Sequence, residues 1–260
     1  MMYVHKRITD NSSADHLLIY VRKKYILEVD KYSDDQPRDE NGRWTSGGGS
    51  SSVAHDSGSG NVKITDEAIA NVPNVNIFDD KEKNARYQQA NKDLLKEAQK
   101  HPVGTEVSRV YGADMKPIEG YGHRVGDKLG QVKIDDPGVP YHAFHNHPSG
   151  DGLGADDLLL FSERNNQMSI TAIGNNGKNY CMIRTSESRT IEYTAFLHEK
   201  MSDKIFGGNK FSYFDVMEFQ PKEYPELFDE TFINELKTFH NDCIKGGEQY
   251  GFRYIESGIN

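Results

Sequence analysis

Two histidines two residues apart, with an aspartate ten residues beyond the second, are the side chains best spaced for chemistry: His145-Asn146-His147-Pro148, a glycine-rich stretch from Ser149 to Gly154, then Asp157. Residues i and i+2 of a strand share a face, so both imidazoles can aim at one point while Asn146 faces away. Pro148 has no N–H to give a ladder and ends the strand. The SGDGLG turn can bring the chain back, which sets Asp157 in the first turn of a following helix. Alone, an aspartate there is most often a cap or a partner of the helix dipole. Joined to the histidine pair it completes a ligand set. Two imidazoles and one carboxylate leave a fourth tetrahedral position for water, the arrangement of catalytic rather than structural zinc. His142, three residues before His145, falls on the opposite strand face and reads as a packed or surface histidine. Asp151 reads first as a turn residue.

Positioning these groups requires a strand, a tight turn and a helix in that order, and the flanking sequence supplies further elements. Ile64 to Asn71 reads as a short helix, and Lys81 to Lys100 as a longer one, rich in helix formers and stopped by His101-Pro102. Strands are expected at 106–111, 117–125, 129–134 and 139–145, separated by Gly, Asp and Pro turn signals. A helix from Ala155 to Asn165 presents Leu158, Leu159 and Phe161 as its apolar face; Met168–Ile173 and Asn179–Arg184 then form a hairpin across Asn175-Asn176-Gly177. Helical spacing returns in 189–206 and 226–245, and YGFRYIE near the end reads as a final strand or a docked tail. The fold class is α/β: a mixed, twisted sheet flanked by helices, with a C-terminal helical extension. The metal is expected at the sheet edge, where strand 139–145 meets helix 155–165.

The run HNHPSGDGLGADD resembles the JAMM motif of the JAB/MPN metallopeptidase family, HxHP followed by a short loop and S-x-x-D, and HNHPSGD is close to the wording of its RadC-like branch. The order of helix, glutamate-bearing strand, sheet, HNHP, helix and hairpin is similar to the JAB domain over residues 80–185, and FSERNN resembles JAB domains of phage proteins. The resemblance implies a JAB/deaminase-like architecture, zinc (Zn2+) on His145, His147 and Asp157, and an amide or isopeptide bond in a protein as substrate. It places the general base on Glu106, which takes a proton from water and returns it to the leaving amine; Glu119 is the competing base. The motif's serine aligns with Gly154, which has no hydroxyl to offer a tetrahedral intermediate. Losing one such donor costs about 2.7–4 kcal/mol, and Ser149 or a backbone N–H is the available substitute. A second register puts the ligand role on Asp156.

At 260 residues and 35% hydrophobic content the chain can build one core with appendages. The start MMYVHKRITDNSS lacks the apolar run of a signal peptide, and Leu17–Val21 is too short to span a bilayer, so a cytoplasmic protein without a membrane partner is expected. Cys181 and Cys243 give neither a disulfide framework nor a metal-ligand spacing, which leaves His and carboxylate to hold a metal. The net charge is -9; residues 1–61 carry 8 basic against 9 acidic side chains, leaving 23 against 31 over 62–260. That balance disfavours phosphate-backbone binding, and with it nucleic acid as a partner and a RadC-like DNA-associated role. The glycines of IEGYGHRVGDKLG lack the order of a phosphate loop.

The chain divides into an N-terminal arm (1–32), a flexible linker (33–61), a zinc domain of JAB type (62–188) and the C-terminal extension (189–260). Of the 16 residues from Ser46 to Asn61, 11 are Ser or Gly, a composition unable to bury enough apolar surface to offset ordering entropy. FSYFDVMEFQPKEYPELF, with six aromatics in 18 residues, reads as core packing or a loop pinned by aromatics, with a partner-docking surface as the other reading. PRDENGRWTSGGG resembles linkers of phage head-associated proteins, which implies a phage or mobile-element product. Two functions then compete: a zinc metallopeptidase or isopeptidase acting on a protein, and a non-enzymatic virion or assembly component whose JAB-like domain docks phage structural proteins.

Overall fold

The computed structural model describes residues 61–126, 132–206, 211–213 and 230–258; the expected arm, all of the linker but Asn61, and most of the aromatic segment lie outside them. Helix α1 (Asp66–Ala70) opens on Thr65, whose hydroxyl oxygen accepts from Ala68 N at 3.0 Å. Helix α2 (Lys81–Ala98) opens on Asp80, whose carboxylate accepts from Glu82 N and Lys83 N at 2.8 and 3.1 Å. Both caps satisfy donors that no intrahelical carbonyl can reach. Asn84, Tyr87, Asn91, Leu94, Leu95 and Ala98 line the buried side of α2 at helical spacing. The chain then runs β1 (Val107–Gly112), β2 (Arg124–Val125), β3 (Tyr141–His147), α3 (Ala155–Glu163), β4 (Gln167–Gly174) and β5 (Asn179–Ile183). It continues through α4 (Thr190–Asp203), β6 (Ile205–Phe206), β7 (Phe211–Ser212), α5 (Glu230–Gln249) and β8 (Arg253–Ser257).

Six strands form one mixed sheet in the order β2-β1-β3-β4-β5-β8, and β6 pairs with β7 separately. Only β3 and β4 are parallel in the large sheet. A parallel pair needs a crossover, and α3 supplies it. Side chains alternate between two apolar layers. Val110, Tyr141, Ala143, Ile170, Ala172 and Met182 pack with α3, α4 and α5, while Val107, Tyr111, Phe144, Ile173 and Cys181 pack with α1 and α2. With helices on both faces, strand residues of both parities are buried, hence the nearly unbroken burial of β3 and β4.

Several boundaries differ from the sequence expectation for local reasons. The strand expected at 117–125 shrinks to β2, because Ile118–Tyr121 turns, with Tyr121 N bonded to Ile118 O and Gly120 at φ +81°. Residues 132–134 form no strand; Lys133 O instead accepts the Ser108 hydroxyl at 2.6 Å, and 129–131 lie outside the described residues. β3 begins after Pro140, which cannot donate to a ladder, and runs through both histidines to His147. The helix expected over 189–206 stops at Asp203, and α5 runs on to Gln249. α5 passes Gly246 and Gly247, where a Cβ would collide with the Phe196 ring and crowd Tyr193 Oη; the two glycines let α4 and α5 come together. The C-terminal extension is therefore not helical alone. β8 pairs along β5, and α4 and α5 share the apolar layer of α3. No described helix is long and apolar enough to cross a membrane.

Candidate metal centre

His145 and His147 share strand parity with Tyr141 and Ala143, so they point to the α3 side of the sheet. β3 is an interior strand, and the histidines sit at its carboxyl end rather than at the sheet edge where the sequence put them. In α/β sheets the carboxyl ends of parallel strands are where ligands gather. The two Nε2 atoms are 2.8 Å apart; Asp157 Oδ1 lies 3.1 Å from that of His145 and Oδ2 3.3 Å from that of His147. Donors around a tetrahedral ion with bonds of about 2.0–2.1 Å stand about 3.3–3.4 Å from one another. Each imidazole meets a different Asp157 oxygen near that spacing, and the two Nε2 atoms stand about half an ångström closer than it, so the rings would move slightly apart around an ion. Among the described residues these three side chains form a group able to hold a metal ion.

The surroundings hold the donors in place without an ion. His147 Nδ1 faces the Asp151 carbonyl at 3.1 Å, which fixes a proton on Nδ1 and keeps Nε2 turned inward. The Asp151 carboxylate pairs with Lys237 of α5 at 3.4 Å, and its N–H bonds Ser149 Oγ at 3.3 Å, so Ser149 serves the turn. Gly150 N and Asn175 N both donate to the His147 carbonyl, each at 3.0 Å. Asp157 is the third residue of α3, and its Oδ2 accepts from Gly154 N at 2.9 Å. Glycine has no side chain to return that bond, so only half of a reciprocal capping box exists. One carboxylate thus starts the helix and faces both imidazoles. The His145 side chain is 3% exposed while those of His147 and Asp157 are each 15% exposed, so solvent reaches the cluster on the His147–Asp157 side.

The electrostatics of the ion-free cluster follow from burial and close charges. Burial opposes a proton on His147, but the hydrogen bond and charge of Asp157, then Glu106 and the Asp151 carbonyl, outweigh it and raise its pKa to about 9. Burial would raise Asp157, yet His145 and His147 hold its carboxyl well below the usual range. A cation would take over the balancing role of the imidazolium proton. Glu106 is pushed up to about 7 by burial, with attraction to His147 and His145 working against that and repulsion from Asp157 and Asp156 adding to it. Glu106 immediately precedes β1, just past the last β1–β3 pair, Ser108–His145, and the charges of both histidines reach it. It stands outside the ligand group.

The alternatives fall elsewhere. Asp156 is exposed, accepts from Tyr213 Oη at 3.1 Å and is not among the ligands. Glu119 is exposed in the Ile118–Tyr121 turn. His142 is buried on the other face, with Nδ1 2.8 Å from Ser169 Oγ and its ring edge-on to Phe78; burial and Lys83 lower its pKa to about 4. One neighbour escaped the sequence reading. His240 of α5 is lowered to about 4 by burial, while the charges of Asp157, His147 and Asp151 reach it, and its buried Nε2 has no hydrogen-bond partner among the described residues. Its only local signal is its place beside Phe239 on an amphipathic helix, and nothing in that pattern points to residue 145. Two surface grooves of about 390 and 380 Å³, lined in part by Lys204, Glu235 and Phe239 and by Ile69, Lys92 and Lys96, share no residue with the cluster. Comparison with family models, with curated proteins and with solved structures returned no match.

Proposed function

We propose that this chain is a zinc-dependent hydrolase of the JAB/MPN type that cleaves an amide or isopeptide bond in a protein. The observation that carries the reading is the convergence of His145, His147 and Asp157 at 2.8–3.3 Å, at the end of an interior strand and near enough to Glu106 for their charges to act on it. Two imidazoles, one carboxylate and an accessible fourth side suit a catalytic zinc. When bound, zinc supplies a water acidified towards a pKa of about 7 and polarises a carbonyl. Glu106, itself near 7 in the ion-free site, takes a proton as the water attacks and hands it to the leaving amine. The Asp151 carbonyl keeps His147 in its ligating tautomer, and the Gly154 N–H keeps Asp157 turned towards the histidines.

The test begins with metal content. Purified protein is expected to hold about one zinc per chain, and His147→Ala to release it; full occupancy in that variant would overturn the ligand set. Glu106→Gln should keep the metal and abolish cleavage of proteins encoded beside this chain. A docking scaffold is the second reading, favoured by Gly154, which lacks the hydroxyl of the motif serine. It predicts bound zinc, stable association with a virion protein, and no cleavage by the native chain.

A further inference from the structure

Glu106 lies just past the point where the β1–β3 backbone ladder stops. Pairing ends at Ser108–His145, while β3 runs on two residues to His147. From there the Asn146 side chain continues the work of the ladder. Its Oδ1 accepts from Val107 N at 2.6 Å and its Nδ2 donates to Thr105 O at 3.2 Å, so it grips the chain on either side of Glu106. Nδ2 also donates to Asn175 Oδ1 at 2.9 Å; Asn175 in turn bonds Val62 O through Nδ2 at 2.8 Å and His147 O through its own N–H at 3.0 Å. From the far side, Gly126 N donates to the Glu106 carbonyl at 2.7 Å. A primary amide, with acceptor and donors on one short arm, can stand in for a peptide group here. Aspartate has no donor for Thr105 O, serine lacks the reach, and an apolar residue leaves buried groups unpaired.

We propose that Asn146 is a positioning residue for Glu106: the central residue of His-Asn-His holds the base near the ligands that its two neighbours supply. The inference rests on the hydrolase reading above. The probe is acetohydroxamate, a zinc chelator whose bound form shares a proton with an adjacent carboxylate. Its affinity for the zinc-loaded full chain is measured by calorimetry and zinc content by elemental analysis. Glu106→Gln is expected to weaken binding about tenfold, the effect of one charge-assisted hydrogen bond. Asn146→Ala should weaken it to a similar extent with zinc retained, and the double variant should bind no more weakly than Glu106→Gln alone. Should Asn146→Ala fail to fold, Asn146→Ser takes its place. Parental affinity in the Asn146 variant, losses that add to those of Glu106→Gln, or release of zinc would each overturn the assignment. If Glu106→Gln itself leaves the affinity unchanged, or the parent holds no zinc, the hydrolase reading fails first and the assignment falls with it.

Discussion

Under the hydrolase reading, Gly154 is the residue on which activity turns. It caps α3 with φ -77° and ψ 165°, a conformation open to any residue. Gly154→Ser would place a hydroxyl where it can accept from the Asp157 N–H and complete the capping box, a gain of about a few tenths of a kcal/mol, while its Cβ would collide with Asp156 Oδ1 and make that carboxylate swing off the Tyr213 hydroxyl. Under the hydrolase reading, turnover of a cleaved protein should also rise by roughly tenfold or more, since a transition-state donor is restored. A serine variant no faster than the parent would mean that the site already has such a donor. His142 carries a pH dependence of its own. Its folded pKa of about 4 lies below the unfolded value, so stability is full above pH 6.5 and falls as acidification charges the unfolded chain. By pH 4 the loss is on the order of 3 kcal/mol. Urea denaturation at pH 7 and pH 4.5 should therefore show a smaller difference in His142→Gln than in the parent. The ligand residues were legible in the sequence because strand parity and the first helical turn are local rules. Glu106 is implied by resemblance alone, and its nearness to the cluster depends on two strands that no local rule brings together.

At the scale of elements, α5 shows what a one-dimensional pattern misses. The helical spacing read from the sequence stops at 245, yet the helix continues through Gly246 and Gly247, where α4 packs in the place their side chains would take. Gly246→Ala gains about 1 kcal/mol of helix propensity and incurs about 1–3 kcal/mol of overpacking against Phe196. A net loss of about 1 kcal/mol is expected in denaturant titration; a more stable variant would show that the Phe196 ring swings aside freely. The long helix α2, the β4–β5 hairpin and the HNHP strand were readable from caps, turn residues and periodicity. β2 and the stretch at 132–134 were not, since a turn at Gly120 and one hydrogen bond from Ser108 replace the expected pairing. His240 was invisible for a related reason: its position near the cluster depends on α5 docking beside the loop, which the Lys237–Asp151 pair fastens.

For the whole molecule, the sheet is covered on both faces, and the cluster sits where β3, the glycine-rich turn, α3 and the β1 approach meet. Metal bound only by the folded chain stabilises it by mass action, about 4 kcal/mol at a thousandfold excess over Kd. Adding a chelator should lower the melting temperature by on the order of 10 °C in the parent, and have no effect on His147→Ala. The same pre-built geometry also sorts one ion from another. Asp157 is tied to Gly154 N, His147 to the Asp151 carbonyl, and both histidines to one rigid strand, so the cage cannot readily dilate. Calcium asks for six to eight oxygens at about 2.3–2.6 Å, and magnesium keeps a wet octahedral shell. On the proposed reading, the two most abundant divalent cations of a cell would be turned away by size and ligand number, before affinity is compared. What remains is a contest among first-row transition ions, in which copper would outbind zinc at nitrogen and oxygen donors, and local supply decides the occupant.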